Sequence, residues 1–155
     1  MDNTINLSAD HAETIATKLS DVILKSDSQG GDMWKGRELM LIQAFIPAIV
    51  ENLKQSKSEP TLSDFRNSFE LPNVLKIARS DSINAKKIRD FLLNLPGVNG
   101  GVMTQKFIEH YGFLVMQISR TLNEMIVKNN EDLGYDQEYQ INSDLLIGTK
   151  LGFAE

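Results

Sequence analysis

The sequence predicts an all-α protein, a compact bundle of about five to six helices with a loose C-terminal tail. Three observations support this class. Apolar residues recur at three- and four-residue spacing in several separate segments, and glycine and proline clusters divide those segments. The helical spacing then disappears after Gly134. We therefore divide the chain into an all-α helical domain at residues 1–134 and an extended tail at residues 135–155.

Helical periodicity is strongest in residues 9–25, 33–56, 83–95 and 103–130. In the second of these segments, Pro47 removes an amide donor and crowds the preceding turn, which predicts a kink or a break near residues 43–46. Two short helices are predicted between the second and third segments. Thr61 and Asp64 have the spacing of a capping box that opens one of them, and Pro72 lies at the first helical position of the other.

Two segments lack the helical pattern. Residues 96–101, with the sequence Pro-Gly-Val-Asn-Gly-Gly, predict a loop before the last helix. In the tail, residues 145–147 form one possible strand. One strand cannot make a sheet alone and no partner for it is evident in the chain, so we expect the natural protein to continue beyond Glu155.

Composition narrows the class of function. The chain has 155 residues, of which 41% are hydrophobic and 24% charged, and these values fit one soluble globular domain. It has no cysteine, which excludes disulfides and thiolate metal sites and fits a reducing compartment. No window approaches the roughly 20 apolar residues of a membrane span. We therefore expect a cytoplasmic domain without membrane contact.

The sequence contains no motif for catalysis or for a cofactor. Residues 148–150 have the residue types of a phosphate-binding loop in the wrong order. The two histidines, His11 and His110, belong to no metal-binding array. Glu109 precedes His110, but adjacent residues of a helix point about 100 degrees apart and do not converge. We therefore expect no enzyme activity, no metal and no cofactor.

Positive charge is concentrated in one part of the sequence, although the net charge of −5 opposes a phosphate grip over the whole surface. The basic residues there are Lys76, Arg79, Lys86, Lys87 and Arg89. Asp81 and Asp90 offset them in part. If the two segments fold side by side, the cations could form a patch for DNA phosphates or for an acidic peptide. A solvated face is the favoured alternative, because no aromatic residues interleave with these charges.

Three stretches carry more than general helical patterning: residues 31–37 leading into 44–50, residues 95–97, and residues 111–122. In this order they resemble the all-α domain of conjugative and type IV secretion coupling proteins, the TraG/TraD class. The branch that serves IncI-type plasmids and the Dot/Icm system is the most similar. The resemblance covers about residues 12–134. The residues that carry it are Trp34, Gly36, Arg37, Pro96, Gly97, Gly112, Met116, Gln117 and Arg120.

We interpret these family-motif residues as packing residues. Trp34 would anchor the core. Gly36 and Gly112 would let helices approach each other closely. Arg37 and Arg120 would pair with carboxylates or with carbonyls at helix ends.

The resemblance implies a non-catalytic domain inserted in a hexameric motor that is anchored at the bacterial inner membrane. On the cytoplasmic side such a domain would receive a relaxase, relaxosome accessory proteins, or secreted effectors and their adaptors. Direct DNA binding through the basic residues is the alternative function, and a purely structural role in the hexamer is a third. The sequence departs from the family at residues 129–135, where a Tyr-Gly-His-type ending would be expected.

Overall fold

The computed structural model describes residues 4–25, 31–131 and 145–153. Within these ranges the chain forms six helices and one short hairpin. The helices are α1 (Ala12–Lys25), α2 (Gly31–Ser56), α3 (Leu62–Asn67), α4 (Leu71–Ala78), α5 (Ala85–Leu93) and α6 (Gln105–Lys128). The hairpin strands are β1 (Val98–Asn99) and β2 (Val102–Met103). The prediction of an all-α bundle is confirmed, while predictions for residues 132–144 lie outside the described ranges.

The core is organised around the two long helices, α2 and α6. Helices α1 and α5 pack on α2, and α3 packs on α6. At the centre, the Phe45 ring lies 6.3 Å from the Tyr111 ring, 6.4 Å from the Phe69 ring and 5.3 Å from the Phe91 ring, between centroids. The buried Tyr111 hydroxyl donates a hydrogen bond to the Phe69 carbonyl, so this polar group is satisfied within the core.

Helix α2 passes through Pro47 without a break, so a break is wrong and the alternative, a kink, stays a prediction. Proline removes the hydrogen bond to the carbonyl four residues earlier, which is that of Gln43. Gln43 itself is exposed. Next to the proline, Phe45, Ile46 and Ile49 are fully buried. This burial holds the helix together across the proline, because tertiary packing supplies most of the stability of helices in proteins.

The predicted capping box is confirmed at the start of α3. The Thr61 hydroxyl accepts a hydrogen bond from the Asp64 amide at 3.1 Å, and the Asp64 carboxylate accepts one from the Thr61 amide at 3.0 Å. Lys57 adds an ion pair to Asp64 at 3.1 Å. Pro72 lies in the first turn of α4, as predicted, where its missing amide donor costs no helical hydrogen bond.

Residues 96–101 form more than the predicted loop. Val98 pairs with Met103 and Asn99 pairs with Val102 in an antiparallel hairpin. Both turn residues, Gly100 and Gly101, have positive φ angles of 57° and 79°. A hairpin turn with two positive φ angles favours glycine at both positions. The prediction missed this hairpin because strands of two residues are too short to show alternation.

The predicted strand at residues 145–147 is wrong, since these residues form a helical turn. The extended contact comes slightly later, where Lys150 bridges to Val102. The Met103 amide donates to the Thr149 carbonyl and the Leu151 amide donates to the Gly101 carbonyl, both at 2.8 Å. Residues 149–151 therefore have a partner in the hairpin, a contact that was not predicted. None of the helices in the described ranges is long and apolar enough to span a bilayer.

Candidate partner-binding surfaces

The structure brings the predicted basic residues together on α4 and α5 but uses most of them internally. Arg79 donates to the carbonyl oxygens of Leu151 at 2.7 Å and Lys150 at 3.3 Å. Arg89 donates to the carbonyl oxygen of Ala78, the last residue of α4, at 2.9 Å. A cation at this position satisfies a free carbonyl and opposes the helix dipole. The two arginines therefore hold the tail and the end of α4 in place.

The lysines of this group differ from one another. Lys86 pairs with Asp90 at 2.8 Å, which neutralises its charge locally. Lys76 and Lys87 are exposed, and neither makes a hydrogen bond or an ion pair with any residue of the described ranges. The predicted basic patch is thus reduced to two free lysines on different helices.

A cleft of about 670 Å³ lies between α5, the hairpin and the tail. Lys86, Arg89 and Asp90 line one side of it, and Lys150 lines the other. Phe153, which is half-buried, supplies an aromatic ring to the same cleft. Sequence reasoning missed Lys150 and Phe153, because contacts between segments distant in sequence, with Val102 and with Arg79, place them there.

Trp34 lies at the contact of α2 with α6, half-buried. Its ring centroid is 4.6 Å from that of His110 and 4.4 Å from that of Phe113. The Arg37 guanidinium carbon lies 5.7 Å from the Trp34 ring centroid, within range of a cation–π interaction. Arg37 also lies 2.6 Å from the His110 ring, between Nη1 and Nε2. Among the described residues the partners of Arg37 are two aromatic rings, so its predicted pairing with a carboxylate or a carbonyl is not observed there.

The Arg37 contact determines the state of His110. A guanidinium can only donate, so the Nε2 atom of His110 accepts and its proton resides on Nδ1. Burial, and then the positive charges of Arg37 and Lys106, lower the pKa of His110 below its usual value of 6.5. His110 is therefore neutral when the cluster of Trp34, Arg37 and His110 is formed.

Glu38 is a buried acid that sequence reasoning did not single out. Only 2% of the residue is exposed, and its Oε1 atom has no hydrogen-bond partner among the described residues. Burial raises the pKa of Glu38 above its usual value of 4.5, and the charge of Lys35 opposes that rise. The sequence signal was weak, because a single acid on a helix surface pattern is usually solvated.

The glycines of the family motifs have different environments. Gly36 is exposed, and a Cβ atom placed there would meet nothing within 4 Å. The prediction that Gly36 lets two helices of this chain approach closely is therefore wrong. Gly97 does make such an approach, since its φ is +93° and a Cβ atom would lie 2.4 Å from the Phe107 amide nitrogen. Gly112 is half-buried within α6, and Pro96, which precedes Gly97, is half-buried as well.

The remaining motif residues lie on α6. Met116 and Gln117 are half-buried, and Nε2 of Gln117 lacks a hydrogen-bond partner among the described residues. Arg120 is exposed and makes no ion pair or hydrogen bond within those ranges, so its predicted pairing is not observed. These positions therefore do not converge on a single site.

A groove of about 570 Å³ lies between α2 and α5. Met40 and Phe91 contribute its apolar surface, and Lys87 and Asp90 line its edge. Met40 is 64% exposed. The sequence carried a signal for this face, because Met33, Gly36 and Met40 lie outside the buried stripe of α2. No group of three or more acidic or histidine side chains in the described ranges could hold a metal ion.

The all-α fold and a distant sequence similarity together support a relationship to type 4 coupling proteins. The similar protein is the Type 4 coupling protein DotL of Legionella pneumophila, which is 27% identical over 146 residues. The match covers 81% of this chain and 19% of DotL, so the chain spans about a fifth of that relative's length. No model of a known protein family matches the chain. No solved structure matches it either.

Proposed function

We propose that this chain is the substrate-recognition domain of a type IV coupling protein of the Dot/Icm-like and IncI-plasmid branch. The observation that carries the proposal is the similarity to DotL, which spans most of this chain but a small part of that protein. A segment of that size, folded as one helical bundle, fits an inserted domain. It would recruit relaxosome proteins, or secreted effectors with their adaptors, to the secretion channel.

The domain would supply a binding surface and no chemistry of its own. The sequence has no phosphate-binding loop with the Gly-x4-Gly-Lys-Ser/Thr spacing. In the parent protein, hydrolysis of ATP would belong to a hexameric motor anchored at the inner membrane, with this domain on its cytoplasmic side. The division of labour is that the motor moves the substrate and this domain selects it.

A direct binding measurement tests the proposal. The purified 155-residue chain is titrated with the relaxase, the relaxosome accessory proteins and the effector–adaptor complexes of its own secretion system. We expect one of these classes to bind with a dissociation constant of about 10 micromolar or tighter, as transient recognition complexes commonly do. Absence of binding by every class at about 100 micromolar would refute the proposal. A helical protein of similar size and net charge serves as the control for non-specific binding.

Direct DNA binding is a second candidate, and the cleft beside the tail is the observation that favours it. Lys150 and Phe153 line this cleft, together with Arg89 and the ion pair of Lys86 with Asp90. Proteins that bind single-stranded nucleic acid combine positive charge with an aromatic ring in this manner. The cleft thus supplies the aromatic contact that the sequence pattern lacked.

Fluorescence anisotropy with a labelled single-stranded oligonucleotide tests this second candidate. We expect binding that weakens as salt increases, because phosphate contacts release counterions. Lys150→Glu should weaken it further, whereas Lys128→Glu, at the exposed far end of α6, should not. Equal effects of the two substitutions would show that the cleft is not the binding site.

A further inference from the structure

The groove between α2 and α5 has the shape of a helix-binding site. Its α2 side runs from Leu39 to Ala44 and its α5 side from Lys87 to Asn94. At about 1.5 Å per residue, the α5 side is about 10 Å long, which corresponds to about two helical turns. Two helices that pack side by side present parallel ridges, so a third helix can lie between them.

The surface of the groove is apolar at its centre. Met40 is 64% exposed, and Phe91 is half-buried and touches the Phe45 ring of the core. Leu39 and Ala44, also half-buried, pack against the core beneath them. This surface continues the core outward to solvent. Methionine adapts its shape to different partners and is frequent on surfaces that bind several helices.

Gly36 extends the same face by one turn toward the start of α2. A glycine inside a helix costs about 1 kcal/mol relative to alanine, and the fold gains nothing for it here, since a Cβ atom would touch no neighbour. Met33, one further turn along, is 60% exposed. An unhindered glycine between two exposed methionines lets the backbone of a partner approach closely. Residues 33–44 together are about 16 Å long, or about three turns.

The charge at the edge of the groove specifies the partner. Lys86 and Asp90 neutralise each other at 2.8 Å. Lys87 remains as a positive charge without a partner among the described residues. A helix that enters the groove with a carboxylate beside its apolar face would complete this arrangement, whereas a lysine there would be repelled.

We propose that the groove binds an amphipathic helix of about three turns from a partner protein, with apolar side chains on Met40 and Phe91 and an acidic side chain facing Lys87. The identity of that partner as a secreted protein or its adaptor rests on the proposed function. The groove itself does not depend on it. A second copy of this chain and a domain of the parent protein are the competing occupants.

Methionine-methyl NMR of the 155-residue chain tests the proposal. The probes are two synthetic 18-residue amphipathic helices with the same leucine face, one flanked by glutamates and one by lysines. We expect the acidic peptide to shift the methyl signals of Met40 and Met33 but not that of the buried Met103. The basic peptide should bind about fivefold more weakly, which is the scale of one exposed charge pair.

Three variants make the result decisive. Lys87→Glu should reverse the preference between the peptides, Met40→Lys should abolish binding of both, and Lys76→Glu, on the exposed face of α4, should leave both unchanged. Met40 is exposed, so its substitution should leave the urea unfolding midpoint unchanged, which separates lost binding from lost folding. Absence of a Met40 shift at about 1 mM peptide would overturn the proposal. Equal affinities in Lys87→Glu would also overturn it.

Two further outcomes separate this inference from the proposed function. If the chain binds its secretion partner and Met40→Lys does not weaken that complex, the groove is not the site and the proposed function stands. If the peptides bind at Met40 but no secretion partner binds, the groove is a helix-binding site and the proposed function is wrong. Concentration-dependent Met40 shifts without peptide, together with a dimer in light scattering, would assign the groove to a second copy and overturn the proposal.

Discussion

At the scale of single residues, the glycines show how one residue type serves different purposes in this chain. Gly97 is required by sterics, because its backbone has a positive φ and lies against the first turn of α6. Gly100 has a positive φ but open space around it. Gly36 has neither restriction. These differences predict three different responses to the same substitution.

Gly97→Ala should destabilise the fold more than Gly100→Ala. Both place a Cβ atom on a backbone with positive φ, which costs about 1 to 2 kcal/mol. At Gly97 the new atom would also lie 2.4 Å from the Phe107 amide nitrogen and 2.9 Å from its Cα atom, so the hairpin or α6 has to move. Urea unfolding of the two variants measures the difference. We expect the free energy of unfolding to fall by at least about 1 kcal/mol more for Gly97→Ala, and equal losses would contradict this account.

Gly36→Ala should instead stabilise the chain by about 0.5 to 1 kcal/mol. The substitution removes the helix penalty of glycine and meets no neighbour within 4 Å. The same variant should weaken binding of the amphipathic peptide, since its methyl group would hold the partner backbone away. Urea unfolding and the peptide titration give the two values. A destabilised variant would show that Gly36 has a packing role that the structure does not contain.

At the scale of elements, the tail is held by polar contacts to two different parts of the bundle. Its carbonyls accept hydrogen bonds from Arg79 and from the hairpin amide of Met103. Leu151 is 1% exposed and joins the core beside them. These contacts therefore hold residues 149–151 against the bundle, where they form one wall of the cleft beside α5.

Arg79→Ala should loosen this attachment without unfolding the bundle. The substitution removes both hydrogen bonds from the guanidinium to the tail carbonyls. We expect amide hydrogen exchange at Leu151 and Gly148 to become about tenfold faster, as a loss of about 1.4 kcal/mol of local stability would cause. Exchange in the core of α6 should not change. Lys76→Ala, at an exposed α4 position without a described partner, is the matched control, and equal acceleration in both variants would contradict the role of Arg79.

The elements also show which features a sequence can predict. Strong periodicity predicted α1, α2 and α6, and the Thr61 capping box predicted the start of α3, because both are local patterns. The hairpin was not predicted, because each of its strands has only two residues. The contact of Lys150 with Val102 was not predicted either, because it joins segments that are distant in sequence.

The candidate surfaces were less predictable than the elements. The sequence identified the basic residues but not their internal partners, since a carbonyl such as that of Ala78 carries no sequence signal. It assigned Gly36 to packing, whereas the folded chain leaves that position open. Both surfaces, the groove and the cleft, arise where helices meet other elements. Their shape depends on tertiary packing, which a single sequence does not specify.

At the scale of the whole molecule, the two long helices α2 and α6 each carry one titratable group whose pKa is shifted by burial, Glu38 on α2 and His110 on α6. Glu38 and the His110 partners Trp34 and Arg37 lie on α2, while His110 lies on α6. Burial affects the two groups in opposite ways. The pKa of Glu38 is raised and that of His110 is lowered, and in both cases the neutral form is favoured. The folded chain is therefore most stable when neither Glu38 nor His110 is charged.

This arrangement predicts a specific pH dependence of stability. Because the pKa of His110 is lowered in the folded chain, the unfolded chain binds more protons as the pH falls below about 6.5, and the free energy of unfolding falls with it. One such group contributes at most about 1.4 kcal/mol per pH unit. Urea unfolding between pH 7.5 and 5.5, values chosen to bracket the usual pKa of about 6.5, compares the wild type with His110→Gln. The difference in the free energy of unfolding between the wild type and His110→Gln should become smaller as the pH falls. A difference that does not change with pH would contradict a neutral His110.

Glu38 predicts the opposite trend, in urea unfolding that is extended to lower pH. Because its pKa is raised above 4.5 in the folded chain, the folded chain binds more protons above that pH, and the free energy of unfolding falls as the pH rises through this range. Glu38→Gln removes the titration and keeps the size of the side chain. We therefore expect the free energy of unfolding of Glu38→Gln to increase relative to that of the wild type as the pH rises from about 4.5. A difference that changes in the other direction would mean that Glu38 is charged and paired in the folded chain, which would contradict its raised pKa.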